Sequence, residues 1–246
     1  MTTILQNISK GFNISNISKG FNISNISKGF NIIIIIICIW YYYMIIRKPR
    51  IPKIGYNNIT FNTGDIILMH SYKNINPMFI CSYWGHIGIV YIDPLNVINE
   101  GKPVIFEACR TSKMKICSPE YKNGIIVTDL YTRLSKYSGI VAVKCLNKII
   151  NKNIQINFIE LINYSKKNMK YNDKIFLSGL RKKLGCNISN DTNCGELSFL
   201  SLIKLGLIDI SMYNKRLLHH LLYVINITKL NDNFYHKPVE IIFNPF

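Results

Sequence analysis

The sequence predicts an α+β domain, with an antiparallel β-sheet in its first part and helices packed on it in its second. Three observations predict it. Five short runs rich in β-branched residues lie between residues 64 and 146, each bounded by Gly, Pro, Asn, Asp or Ser. Two stretches with helical spacing of apolar residues follow, at 153–167 and from Cys194 onward. Strands first and helices last is the order of an α+β fold.

The N-terminal part has a different texture. The unit NISKGF starts at Asn7, Asn16 and Asn25, a period of nine residues. It is polar and lacks the apolar face that stacks in solenoids, so residues 1–31 are expected to be a low-complexity tail. Residues 32–46 read IIIIIICIWYYYMII, with no charge. This run is shorter than a comfortable bilayer span, but Trp40, Tyr41, Tyr42 and Tyr43 suit a membrane interface, and a single membrane anchor is expected here. Arg47, Lys48, Arg50 and Lys53 follow, with Pro49 and Pro52, and mark 47–59 as a basic linker. By the positive-inside rule this side faces the cytosol, or a virion interior. The main domain is expected over 60–246.

Each element of that domain has its own signal. GDIILMHS begins with a turn and continues as a strand. HIGIVYID is a second strand, closed by Asp93-Pro94, and PVIFEAC is a third. GIIVTDL and GIVAVKCL are two more, with a short helical piece, YTRLSKY, between them. Ile154, Phe158, Leu161 and Ile162 give the next segment one apolar face. Leu197, Leu200, Leu202 and Leu205 mark the helix that Cys194 opens, and Gly206 is its stop signal.

Composition narrows the function classes. Lys and Arg number 30 against 13 Asp and Glu, a formal net charge of +17. The lysines are scattered singly rather than gathered in a basic arm, so no specific nucleic-acid partner is expected. The heavy use of Ile, Asn, Lys and Tyr matches an AT-rich genome. Seven cysteines, an odd number with no C-x-x-C pair, exclude a disulfide framework or a zinc site by spacing. They suit a reducing compartment, and no metal or cofactor is expected.

Cys194 is the candidate nucleophile. A cysteine at a helix N-terminus sits among unpaired backbone N–H groups and the positive end of the helix dipole, which favour a thiolate and a developing oxyanion. In D-T-N-C-G-E, Asp191, Thr192 and Asn193 can cap the helix, and Gly195 leaves room for close approach. A nucleophilic cysteine needs a base. Of His70, His86, His219, His220 and His236, His86 is preferred, because it begins a strand after the Trp84-Gly85 turn. Glu107 lies inside the apolar run PVIFEAC, where a carboxylate is costly unless paired with a cation or a donor. It is the candidate to orient the imidazole. Glu196 should point away from Cys194 and support the helix start.

The ordered set GDIIL, WGHIGIV, VIFEA, YNDKIF and NCGEL resembles the circularly permuted papain-like (NlpC-type) cysteine hydrolases, the YiiX/YaeF-like relatives of lecithin:retinol acyltransferase, over roughly residues 60–210. The resemblance implies Cys194 as nucleophile, His86 as base and Glu107 as third member, with the histidine strand ahead of the cysteine helix. Gly64 and Asp65 match the turn before the first strand, and Tyr171 and Phe176 match positions before the cysteine helix. Gly195 stands where the family often has serine, and 178–192 is an enlarged loop. Members of the group occur in large DNA viruses. The implied function is hydrolysis of an amide or ester through an acyl-enzyme on Cys194, by a peptidase, amidase or lipid esterase. An acyltransferase on the same site and a non-catalytic structural virion membrane protein are the alternatives.

Overall fold

The computed structural model describes residues 31–39, 42, 50–71, 83–109, 124–171, 191–208 and 234–243. The chain divides into two compact units, Met1–Arg47 and Lys48–Phe246. In the first, residues 31–39 are helical and their isoleucines are exposed. Among the described residues no helix is long and apolar enough to cross a membrane. The NISKGF repeats lie outside the described residues.

The second unit is built on a seven-stranded sheet of order β1-β9-β6-β2-β3-β4-β5. Its strands are β1 (Lys53–Gly55), β2 (Ile66–His70), β3 (His86–Tyr91), β4 (Val104–Ala108), β5 (Ile125–Asp129), β6 (Ile140–Lys144) and β9 (Val239–Ile242). A two-stranded parallel ribbon pairs β7 (Lys170–Tyr171) with β8 (Asp191–Thr192). Among the described residues, the α-helices of this unit are α1 (Leu130–Ser135), α2 (Lys152–Asn168) and α3 (Cys194–Lys204).

The five sequence-predicted strands are β2 to β6, and they pair antiparallel as expected. The sheet as a whole is mixed, which corrects the antiparallel expectation. β9 adds antiparallel to β6, and β1 adds parallel to β9. β1 falls inside the stretch expected as a linker, so Lys53–Gly55 belongs to the sheet. The pairing of β1 with β9 joins distant parts of the chain, so no tight hairpin dictates antiparallel direction.

Asp65 explains the Gly-Asp turn before β2. Gly64 has φ 97°, a left-handed conformation that favours glycine. The Asp65 carboxylate then accepts from Asn62 N (2.8 Å) and Leu146 N (2.7 Å), tying the start of β2 to the chain leaving β6. The Asp65 carbonyl accepts from Val90 N (2.8 Å), so the same turn also holds the end of β3.

Alternation along the strands separates two cores. Ile66, Leu68, Ile87, Ile89, Phe106 and Ala108 pack on one face against α2 and α3. Ile67, Met69, Val90 and Ile105 pack on the other against Leu130 and Leu134 of α1. α2 buries Phe158 and Ile162, and α3 buries Leu197, Phe199 and Leu202. α3 ends at Gly206, whose φ of 68° is the predicted stop.

Candidate active site

The site forms at the end of the sheet where β3 begins and β4 ends. His86 is the first residue of β3 and pairs in register with Met69. Gly85 N donates to Met69 O (3.0 Å), so the backbone entering the histidine is pinned to β2. β3 and β4 are neighbours, as the candidate pairing of His86 and Glu107 requires. The His86 Nε2–H donates to Glu107 Oε2 at 2.5 Å.

Gly88 makes the room for this contact. The β3–β4 register carries it opposite Glu107. A Cβ at Gly88 would stand 2.6 Å from Ile105 Cδ1 and 3.3 Å from Glu107 Cβ. The glycine in H-I-G-I-V therefore has a packing reason: any larger residue would crowd Ile105 and the stem of the carboxylate.

Glu107 is fully buried, at 0% exposure. Its other partner is Arg133 of α1, which sequence reasoning missed. Arg133 Nε donates to Oε1 (2.5 Å) and Nη2 donates to Oε2 (3.1 Å), a two-point contact on one carboxylate. A signal existed: Leu130 and Leu134 define the buried stripe of the YTRLSKY piece, and Arg133 lies on the same side. Burial pushes the Glu107 carboxyl up, but Arg133 and His86 outweigh it and hold it down at about 2.

Cys194 reaches His86 from α3. Its turn is built by the β7–β8 ribbon, which delivers Asp191 and Thr192 to the helix start, and by Asn193, whose Oδ1 accepts from Glu196 N (3.0 Å). Asn193 is thus the N-cap, one of the capping residues expected. The first helical hydrogen bond runs from Leu197 N to Asn193 O (2.9 Å), so the N–H groups of Cys194 and Gly195 have no acceptor within the helix. Glu196 is buried in the first turn. The Cys194 thiol of α3 and the Glu107 carboxylate of β4 are the two groups that act on the His86 ring. With Nε2 turned to Glu107, Nδ1 is the nitrogen left for the sulfur. Burial pushes the His86 ring down, yet the charges and hydrogen bonds of Cys194 and Glu107 outweigh it and carry it up to about 9.

The two halves of the site belong to different faces of the sheet. α3 packs with the core that holds Ile87 and Ala108, whereas Glu107 and Arg133 lie with Ile105, Leu130 and Leu134 on the other side. His86 bridges them because it is the terminal residue of its strand, with a side chain only 13% exposed.

The remaining candidates fall elsewhere. His70 Nδ1 is 2.6 Å from Tyr83 O, and its ring stacks on Tyr83 at 4.0 Å, so it is a packed core histidine. His236 is exposed, with its backbone N bonded to Cys145 O. His219, His220, Phe176 and most of the 178–192 loop lie outside the described residues. Tyr171 packs against the helix-side core and Gly124, where an added Cβ would come within 2.3 Å of the tyrosine Cβ. None of the described cysteines, Cys38, Cys109, Cys145 and Cys194, is in a disulfide. Burial, with Asp65 nearby, pushes the Cys145 thiol up to about 11. Among the described residues no group of three or more His, Cys, Asp or Glu could hold a metal ion.

No family model matches the chain, and no curated protein matches it. Among solved structures it is similar to the metalloprotein YiiX from Escherichia coli O157:H7, at 17% identity and a TM-score of 0.41. That overlap covers 58% of this chain and 66% of the other, a likeness in outline alone.

Proposed function

We propose that this protein is a thiol-dependent hydrolase of the permuted papain-like kind, cleaving an amide or ester bond through an acyl-enzyme on Cys194. The observation that carries it is the connected run Cys194–His86–Glu107, with the sulfur at the N-terminus of α3. His86 takes the thiol proton, and the sulfur attacks the carbonyl carbon of the substrate. The oxyanion forms beside the first-turn N–H groups of Cys194 and Gly195. His86 then gives its proton to the leaving amine or alkoxide as the C–N or C–O bond breaks. Its elevation to about 9 keeps that proton in place at neutral pH. A water, deprotonated by the same ring, attacks the thioester and frees the acid and the thiol.

A thiol-directed acyl-electrophile probe tests this. Labelling is expected in wild type and in Cys145→Ala, and lost in Cys194→Ala. Equal labelling of the two variants would sink the proposal, because Cys145 is a half-buried thiol with no catalytic partner assigned to it.

We further propose that residues 32–46 tether the chain to a membrane, with the hydrolase unit on the cytosolic or virion-interior side. The support is the uncharged apolar run and the exposure of Ile32 to Ile37 and Ile39 in the helix over 31–39. The full chain is expected to float with phosphatidylcholine vesicles in a density gradient and to resist alkaline extraction. Recovery of the chain at the bottom of the gradient would remove the tether while leaving the chemistry of Cys194 untouched.

A further inference from the structure

We propose that Arg133 is the positioning residue of this site: its guanidinium holds Glu107 ionised and oriented toward His86, and so sets the pH range in which Cys194 reacts. This rests on the proposed thiol chemistry and adds to it a residue outside the three that resemblance implies.

Glu107 has no water to stabilise its charge, being 0% exposed. A lone carboxyl in such a place takes up a proton. Arg133 prevents this with two hydrogen bonds, one to each carboxylate oxygen, and Oε2 is shared with His86. The fork fixes both the charge and the angle of the acceptor, which a single-point cation cannot do. An ionised Glu107 in turn favours a protonated His86 beside Cys194.

The surroundings leave few other groups for this role. Among the described residues, the titratable and charged groups facing Glu107 are His86 from β3, Arg133 from α1 and Tyr137 just beyond α1. Those facing Arg133 are Glu107, Cys109 and Tyr137, whose ring centroid is 5.3 Å from the guanidinium carbon. Tyr137 is itself bonded to Ser71. His86 is faced by Cys194 and Glu107. The strand neighbours in register are apolar: Met69 lies opposite His86, and Ile126 opposite Glu107.

The test is the rate of Cys194 carboxymethylation by iodoacetate across pH in the full chain. The anionic reagent reacts fastest while the imidazolium is present, so the wild-type rate is expected to fall at an alkaline limb near pH 9. Arg133→Met should move that limb down by about one pH unit or more, cutting the rate at pH 9 roughly fivefold. Arg133→Lys keeps the charge but not the fork. It should hold the limb near its wild-type place while lowering the plateau rate about threefold or more. If the limb stays put in a folded Arg133→Met protein, Arg133 is merely structural and the proposal fails. Should the Met variant not fold, the Lys variant decides alone: unchanged plateau and limb overturn the proposal. Absence of any alkaline limb in wild type would be a different failure, that of the thiol–imidazole chemistry itself.

Discussion

Replacing His86 by glutamine is expected to slow alkylation of Cys194 by iodoacetamide at neutral pH by roughly 100-fold or more, the scale of a lost general base. The fold should survive. A glutamine amide can still donate to Glu107 Oε2, the acceptor that His86 uses at 2.5 Å. Glu107 also keeps its two bonds to Arg133, so no charge is stranded. What disappears is the group that takes the thiol proton. Intact-mass kinetics with thermal unfolding on the same samples checks both halves. Cys145 serves as an internal reference, since its thiol is pushed up to about 11 and should react slowly in both proteins. Alkylation of Cys194 at the wild-type rate in His86→Gln would mean that the helix start alone activates the sulfur.

Glu107→Ala should be the most damaging single change to stability. It leaves the buried Arg133 guanidinium without its carboxylate, a situation that costs about 3–5 kcal/mol. Equilibrium denaturation should show the midpoint falling accordingly. The double variant Glu107→Leu with Arg133→Met replaces the ion pair by apolar bulk and should recover most of that loss. It should not recover the reactivity of Cys194, because His86 still lacks its anion. Stability and reactivity would then part company in one pair of proteins. Acid titration offers a further handle. The Glu107 carboxyl lies at about 2 when folded, below its ordinary 4.5, so its contribution is fully present above pH 4.5 and is lost as pH falls toward 2. That part of the acid transition should be missing in the double variant. A Glu107→Ala protein as stable as wild type would show that the guanidinium finds water or another acceptor.

The pairing of His86 with Glu107 was legible because both lie in short alternating strands consecutive in the chain, and because a carboxylate in VIFEA demanded a partner. The turn around Asn193 was legible for a similar reason: capping is a local matter of a few consecutive residues. Arg133 was not. The spacing of Leu130 and Leu134 marks one side of its six-residue helix, but what Arg133 meets there depends on which face of the sheet α1 covers. β1 and β9 were hidden by length and distance. Three and four residues carry little pattern, and their parallel pairing joins segments far apart in sequence. The expectation of a purely antiparallel sheet failed at that edge alone.

The placement of the site across both faces of the sheet has one more consequence. The sulfur is carried by the layer of α2 and α3, and its base is clamped from the layer of α1. Neither layer contains an activated thiol by itself. Loosening of the α2–α3 layer takes the sulfur from the imidazole, and loosening of the α1 layer takes Arg133 from Glu107. Activated reactivity at Cys194 is therefore a coincidence detector, present only when both sides of the sheet are docked at once. Followed over time during refolding, it would time the assembly of the whole unit rather than of any one half.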